Sequence, residues 1–255
     1  MGKTLGGSLF IRQGILFDYS FEESIKSLLE FCDCVSVVDA GSSDGTVDVL
    51  KELEIRNKNL VVTYLTEQDW QDQKGKGYSK LCHFTDIAIS KLDTDYNYYQ
   101  QADEITHEDC YDDIRRAIEQ GHEGYLIKRI NLWQSPFLRL NVIGNRNPCS
   151  PYIIRLAKTK YRSFGDAESL AAPIVDEFSE IIRMYHMGFV RRQEVMKAKI
   201  INMQEGVFEL GTHDVKLDGC EVFNPRLWFG PEDLIPISEP LPALIQKWAA
   251  ERVYE

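Results

Sequence analysis

Short apolar runs alternate with amphipathic helical segments through residues 1–105, and this alternation restricts what that part of the chain can become. Ser8-Leu9-Phe10-Ile11 reads as a first strand. Behind Ser20-Phe21-Glu22-Glu23, which has the form of a capping box, Ile25, Leu28, Leu29 and Cys32 recur at helical spacing and predict a helix over 21–31. Val35-Ser36-Val37-Val38-Asp39 is a second strand ending in an acid, and Val47, Leu50 and Leu53 form the stripe of a second helix. Residues 60–65 are a third strand, rich in β-branched side chains. Leu81, Phe84, Ile87 and Ala88 predict a helix feeding a strand that ends near Asp103. Strand and helix in turn are the signature of parallel βαβ units, so the expected fold is α/β, with a mainly parallel, Rossmann-like sheet flanked by helices.

The second half reads differently. Tyr111, Ile114 and Ile118 make a helix that Gly121 stops, and residues 124–130 and 152–156 read as strands around an irregular stretch with Trp133, Pro136, Gly144 and Pro148. A helix over about 190–204 carries Arg191, Arg192, Lys197 and Lys199; a segment with Pro225, Pro231, Pro236 and Pro240 then leads to a terminal helix presenting Leu244, Ile245 and Trp248. The expected organisation is one domain in two halves, 1–105 and 106–204, with 205–255 strapped onto it. A net charge of −11 and a pI near 5.0 argue against a nucleic-acid partner, which needs a basic footprint. No signal peptide is visible, no apolar run approaches the ~20 residues of a membrane span, and six scattered cysteines without metal-finger spacing point to reduced thiols in a cytoplasmic protein.

Two strand ends carry the chemistry. Tyr98-Tyr99-Gln100-Gln101-Ala102-Asp103-Glu104 is an aromatic run that ends in two carboxylates, with Thr106-His107-Glu108-Asp109 opening a helix. Open α/β sheets bind ligands beyond such strand ends. Asp39 is followed by the small-residue turn Ala40-Gly41-Ser42-Ser43-Asp44-Gly45-Thr46; a fixed carboxylate there can accept hydrogen bonds from a base or a ribose, whereas Asp44 is equally suited to capping the next helix. Neither phosphate-cradling glycine motif is present.

Val37-Val38-Asp39-Ala40-Gly41-Ser42-Ser43-Asp44-Gly45-Thr46 resembles the V-V-D-x-G-S-x-D-G-T signature of family 2 glycosyltransferases, inverting enzymes of the GT-A fold, and the resemblance covers about residues 8–204. It implies a nucleoside-diphosphate sugar as donor, a UDP-hexose by default, with Asp39 and Asp44 at the nucleotide and the Arg12 strand end beside them. It carries the metal-binding Asp of the D-x-D motif onto Asp103, and the ribose or water-mediated contact of the motif's first acid onto Gln101, which stands in its place without the charge. A hard divalent ion on a diphosphate needs only one or two protein carboxylates. Tyr185-His186-Met187-Gly188-Phe189 resembles the family's H-x-G segment, which makes His186 a second ligand; imidazole with carboxylate suits Mn²⁺ better than Mg²⁺. Lys80, or one of Arg191, Arg192 and Lys197, is expected to neutralise the diphosphate.

Phe164-Gly165-Asp166-Ala167-Glu168-Ser169-Leu170 resembles the G-x-x-H-E-x-L segment of related sugar transferases, with Ala167 in place of the His. Glu168 then stands as the base that takes the proton of an acceptor hydroxyl, such as one on a glycan, with Asp166 second. Trp133 is either a platform for a sugar ring or core, and the polar stretch 66–77 reads as a loop able to close over the donor. Two rival readings stay open: a nucleotidyltransferase that makes nucleotide sugars, for which Gly2-Lys3-Thr4-Leu5-Gly6-Gly7 would hold the triphosphate, and an inactive sugar-nucleotide-binding or scaffold protein.

Overall fold

A computed structural model describes residues 2–77, 79–141, 150–203 and 234–252. Strand β1 (Leu5–Ile11) leads through helix α1 (Phe21–Phe31) to β2 (Cys34–Asp39), and α2 (Thr46–Arg56) leads to β3 (Leu60–Tyr64). A short α3 (Glu67–Gln71) and then α4 (Ser79–Ser90) precede β4 (Tyr96–Tyr99). These four strands pair in parallel in the order β4-β1-β2-β3. Alternation of side chains along each strand splits the core into two layers. Leu9, Val35, Val37 and Tyr98 meet Ile25 and Leu28 of α1 and Leu50 of α2 on one face; Val38 and Tyr99 meet Phe84 and Ala88 of α4 on the other. Helices on both faces are what a parallel sheet requires.

Two local expectations change. Ser20 makes no side-chain cap on α1. The stretch 66–77, expected as a lid loop, begins instead with α3 and a true capping box: Asp69 N–H donates to Thr66 Oγ1 at 3.2 Å and Thr66 N–H to Asp69 Oδ2 at 2.7 Å. Its anchor is Trp70, buried and stacked on Phe84 with ring centroids 5.2 Å apart.

Past β4 the sheet stops being parallel. The expected helix start at Thr106 is a strand, β5 (Glu104–Thr106), followed by a 3-10 turn (Glu108–Cys110) and α5 (Tyr111–Gln120), which Gly121 ends in the left-handed conformation. Then come β6 (Gly124–Trp133), β7 (Ser135–Leu140), β8 (Tyr152–Lys158) and the two-residue pair β9 (Ser163–Phe164) and β10 (Ser169–Leu170). β11 (Arg183–Phe189), α6 (Gln193–Met203), β12 (Leu234–Pro236) and α7 (Ala243–Ala250) complete the described chain. β8 is antiparallel to both β4 and β6, and β7 continues antiparallel from β6, so the long sheet β12-β7-β6-β8-β4-β1-β2-β3 is mixed. The expectation of a mainly parallel sheet holds for the run β4-β1-β2-β3 and not for the sheet as a whole. Only Gln134 separates β6 from β7, and strands joined without a crossover run antiparallel. β11 lies parallel to β6 and antiparallel to β5.

Helix α7 seals this side. Ile245 and Trp248 pack against Ile105, Ile130, Tyr185 and Met187, and the Tyr185 hydroxyl donates to the Pro240 carbonyl at 2.6 Å. Most of the proline-rich segment, with Pro225 and Pro231, lies outside the described residues, as do Cys149 and Cys220; Cys32, Cys34, Cys82 and Cys110 are free thiols. Among the described residues no helix is long and apolar enough to cross a membrane.

Trp133 is fully buried and stacked on Phe189, with centroids 3.8 Å apart and planes 15° off parallel. It belongs to the core and is no platform for a sugar. Trp133→Ala is expected to cost about 3–5 kcal/mol in urea unfolding; a loss of less than about 1 kcal/mol, the range of exposed sites, would contradict that placement.

Candidate functional site

Because β1, β2 and β4 are parallel neighbours, their C-terminal ends emerge on one edge, where Arg12, Asp39 and the segment 100–103 follow. Asp39 is buried. Its Oδ1 accepts the N–H groups of Gly41 (3.2 Å) and Ser42 (2.9 Å), while Oδ2 is buried with no hydrogen-bond partner among the described residues. A buried acceptor left unpaired costs about 1–3 kcal/mol, which a ligand N–H or O–H would recover. Arg12 braces this turn: Nη1 donates to the carbonyls of Ala40 (2.9 Å) and Gly41 (2.7 Å), Nη2 to Glu67 (2.7 Å), and the guanidinium sits 4.6 Å over Trp70. Gly41, at φ +79°, lies so close to α3 that a Cβ would come within 2.6 Å of the Thr66 carbonyl. Lys80 Nζ lies 3.8 Å from the Trp70 ring centroid.

Asp44 is a fastener. Oδ1 accepts from Thr46 N–H (3.1 Å) and Oγ1 (2.6 Å), and Oδ2 accepts from Leu16 N–H (2.6 Å). Burial would raise its pKa, but these bonds outweigh it and hold the carboxyl below its ordinary value. Its hydrogen bonds hold the start of α2 and the loop after β1, while the N-cap position of α2 itself is Gly45, left-handed and without a side-chain cap.

The turn between β9 and β10 carries Asp166 and Glu168. Ala167 is buried there at φ +60°, a left-handed conformation that costs a non-glycine residue energy. Its carbonyl is gripped by Gln101 Nε2 (3.3 Å) and Arg155 Nη1 (3.2 Å). Arg155 also donates to Glu104 Oε1 at 2.6 Å, both side chains fully buried, and Glu104 Oε2 accepts Gln101 N–H at 2.8 Å. Gln101 thus secures the acid-bearing turn. Glu168 forms an ion pair with buried Arg129; burial pushes its pKa up against Arg129 and Arg155, with Asp166 adding to the rise. Asp166 is half-buried in the same turn.

Asp103 is the most heavily paired residue of the edge. The register of β11 slips between His186 and Phe189, and the Met187 N–H donates to the Asp103 carbonyl at 2.7 Å. That bulge turns the imidazole over Gly188, where a Cβ would come within 2.4 Å of His186 Nε2. His186 Nδ1 lies 3.0 Å from Asn131 Oδ1, and Nε2 lies 3.8 Å from Asp103 Oδ1. Asp103 Oδ2 accepts from Lys199 Nζ at 3.1 Å and Arg191 Nη2 at 3.3 Å. Tyr19 supports both cations, each 4.7 Å from its ring centroid, and Lys199 also donates to the Gly188 carbonyl at 3.1 Å. Burial would raise the Asp103 pKa; Lys199, His186 and Arg191 outweigh it and hold it far below the carboxylate range. Burial pushes His186 down to about 3, so the imidazole is neutral at physiological pH.

Of the expected diphosphate cations, Arg191 reaches Asp103, whereas Arg192 is exposed beside Glu194 at 3.5 Å. Lys199 was not anticipated, nor were Arg129 and Arg155. The two arginines had a signal, a charge inside the apolar runs Ile127-Lys128-Arg129-Ile130 and Ile154-Arg155-Leu156. Lys199 had none, since only the packing of α6 brings it back to the strand edge.

The expected Mn²⁺ or Mg²⁺ does not fit these residues. One carboxylate is available, and its Oδ2 is taken by two fixed cations. Gln101 brings no charge and spends its amide on Ala167. Among the described residues no group of three His, Cys, Asp or Glu side chains converges as a metal site.

No protein-family model matches the chain, and no curated protein does. Among solved structures, S. aureus TarS is similar at 14% identity over 79% of this chain and 40% of that one, with a TM-score of 0.46. Its 1–349 piece in complex with UDP gives 0.48 and is covered over 65%. A putative glucose-1-phosphate thymidylyltransferase from Bacillus anthracis is similar at 11% identity over 62% of this chain and 72% of that one, TM-score 0.40. The mannosyltransferase PcManGT from Pyrobaculum calidifontis, in complex with GDP-Man and Mn²⁺, is similar at 17% over 53% and 36%, TM-score 0.36. The chain thus spans less than two thirds of the TarS chains it matches. Likenesses this loose assign no activity.

Acid stability tests the site's electrostatics. His186 and Asp103 both titrate below their ordinary values, so below pH 6.5 the unfolded chain binds protons that the folded chain refuses. Stability is therefore expected to fall as pH drops from 6.5 towards 3, by up to about 1.4 kcal/mol per unit from His186. Urea midpoints at pH 7 and 5 should show this slope flattened in His186→Gln; an unchanged slope would contradict a buried neutral imidazole.

Proposed function

We propose that the chain is an inverting glycosyltransferase that moves a sugar from a nucleoside-diphosphate sugar to an acceptor hydroxyl. The observation that carries this reading is a convergence on one sheet edge. A buried carboxylate with one oxygen unpaired among the described residues (Asp39), a carboxylate bound by two cations (Asp103) and a turn holding a half-buried acid (Glu168) meet there, the last two joined through the Gln101–Glu104–Arg155 grip.

In this reading Asp39 Oδ2 accepts from an N–H of the base or a ribose hydroxyl, and Arg12 keeps the turn in place. The acceptor oxygen attacks the anomeric carbon as the bond from that carbon to the diphosphate oxygen breaks. The leaving diphosphate takes the electron pair, and Glu168 takes the acceptor's proton. Attack opposite the leaving group inverts the anomeric centre. A carboxyl raised by burial is the stronger base, and Arg129 beside it favours its charged form. Asp166 is the alternate base on the same turn.

The nucleotidyltransferase reading loses its one foothold. Gly6 and Gly7 lie inside β1, paired to Cys34 and Val35, and Lys3 Nζ is spent on the carbonyls of Ile118 (2.9 Å) and Glu119 (3.1 Å). No glycine loop is left there for a triphosphate. Enzyme and inactive binder are separated by assay. A thermal-shift and turnover screen with UDP-, GDP- and dTDP-sugars should show stabilisation by one donor and transfer or slow hydrolysis of it. Glu168→Gln is expected to keep the shift and lose transfer by about 10²–10⁴-fold. If Asp166→Asn alone has that effect the base is Asp166, and if no donor shifts the melting temperature the transferase reading fails.

A further inference from the structure

We propose that Lys199 and Arg191 do at the donor's diphosphate what a divalent cation would otherwise do, so that this chain binds and activates its donor without a metal ion. The inference rests on the donor reading above and departs from the metal requirement that the sequence resemblance implies.

The first support is charge. Asp103 contributes one negative charge, and Lys199 and Arg191 together bring two positive ones to its Oδ2, at 3.1 and 3.3 Å. The neighbouring pairs Glu104–Arg155 and Glu168–Arg129 are each neutral. Asp103, Lys199 and Arg191 together therefore carry a net positive charge in a chain whose total is −11. A dication at Asp103 would enter that positive field, whereas a diphosphate would complete it.

The second support is unspent hydrogen bonding. Arg191 is 2% exposed, and its Nε and Nη1 are buried without a hydrogen-bond partner among the described residues. Buried guanidinium N–H groups are costly to leave unmade, and a phosphate oxygen is the acceptor their planar geometry fits best. Among the described residues Lys199 Nζ has two protein acceptors for its three donors, Asp103 and the Gly188 carbonyl. Both cations therefore have donors to offer a diphosphate while still held by Asp103.

The third support is rigidity. Tyr19 supports both cations, Asp103 is fixed by the β11 bulge, and Gly188 ties α6 to that bulge. Fixed cations aimed at the oxygen where charge develops stabilise a departing leaving group without reorganising. Gln101 fits the same picture. In place of an acidic ligand it holds the turn that carries Glu168.

The test is calorimetric titration of the full chain, stripped of metal, with UDP, GDP and dTDP in EDTA and again in excess Mn²⁺. One nucleotide should bind with a dissociation constant equal within about twofold in the two buffers, and Lys199→Met should weaken it by more than ~10-fold in EDTA. Lys199→Gln, which keeps a polar donor but not the charge, repeats the measurement should the Met variant not fold, and the same loss is expected. Binding that appears only with Mn²⁺, or tightens more than ~10-fold with it, overturns the metal-free inference and leaves the donor reading standing. Equal binding by wild type and both Lys199 variants also overturns it. No binding of any nucleotide in either buffer removes the donor reading, and this inference with it.

Discussion

A carboxylate buried at the end of a strand is expensive unless cations reach it. Asp103 is such a group, and much of the second half of the fold brings its partners to it. β11 lies between β5 and β6, its bulge fixes the Asp103 carbonyl and turns His186 alongside, and the chain then leaves through Arg191 into α6, which returns Lys199. Removing one partner of a buried ionic group leaves the other uncompensated, so the cluster stands or falls together. α7 closes over the same strands with Ile245 and Trp248.

The second buried pair, Glu104 with Arg155, plays a matching part on the other side of the segment. Arg155 spans from Glu104 to the Ala167 carbonyl and lies 4.5 Å over Tyr99, so one guanidinium joins the end of β4, β8 and the acid-bearing turn. The left-handed Ala167 persists because two donors hold its carbonyl. Strain of this kind is kept where surrounding structure over-determines it, which is common where geometry matters more than stability. The two networks bring the turn that carries Glu168 and the cation pair of Lys199 and Arg191 to the same edge.

What the sequence made legible was local. β1, α1, β2, α2, β3 and α4 announce themselves by period and by the strand–turn–helix around Asp39, because each is specified within a dozen residues. The second half was not legible in the same way. β5 is three residues long and exists only because β11 pairs with it. The antiparallel return of β8 leaves no mark on its own residues. Stretch 66–77 looks polar because Trp70 alone anchors α3. Trp133 reads alike as platform or core until Phe189 is found stacked on it. Within the site the same division holds: Asp39, Asp103, His186 and Glu168 sit in recognisable local segments, whereas Lys199 and Tyr19 reach Asp103 only through tertiary packing.

The central claim is that the edge formed by Asp39 and the Asp103 cluster is a nucleoside-diphosphate site. The most direct measurement is a crystal structure of the chain grown with the tightest-binding nucleoside diphosphate in EDTA. The account predicts diphosphate oxygens ~3 Å from Lys199 Nζ and from the unpaired N–H groups of Arg191, with the base or ribose bonded to Asp39 Oδ2. A nucleotide bound elsewhere, with Asp103, Lys199 and Arg191 touching no phosphate, would contradict it.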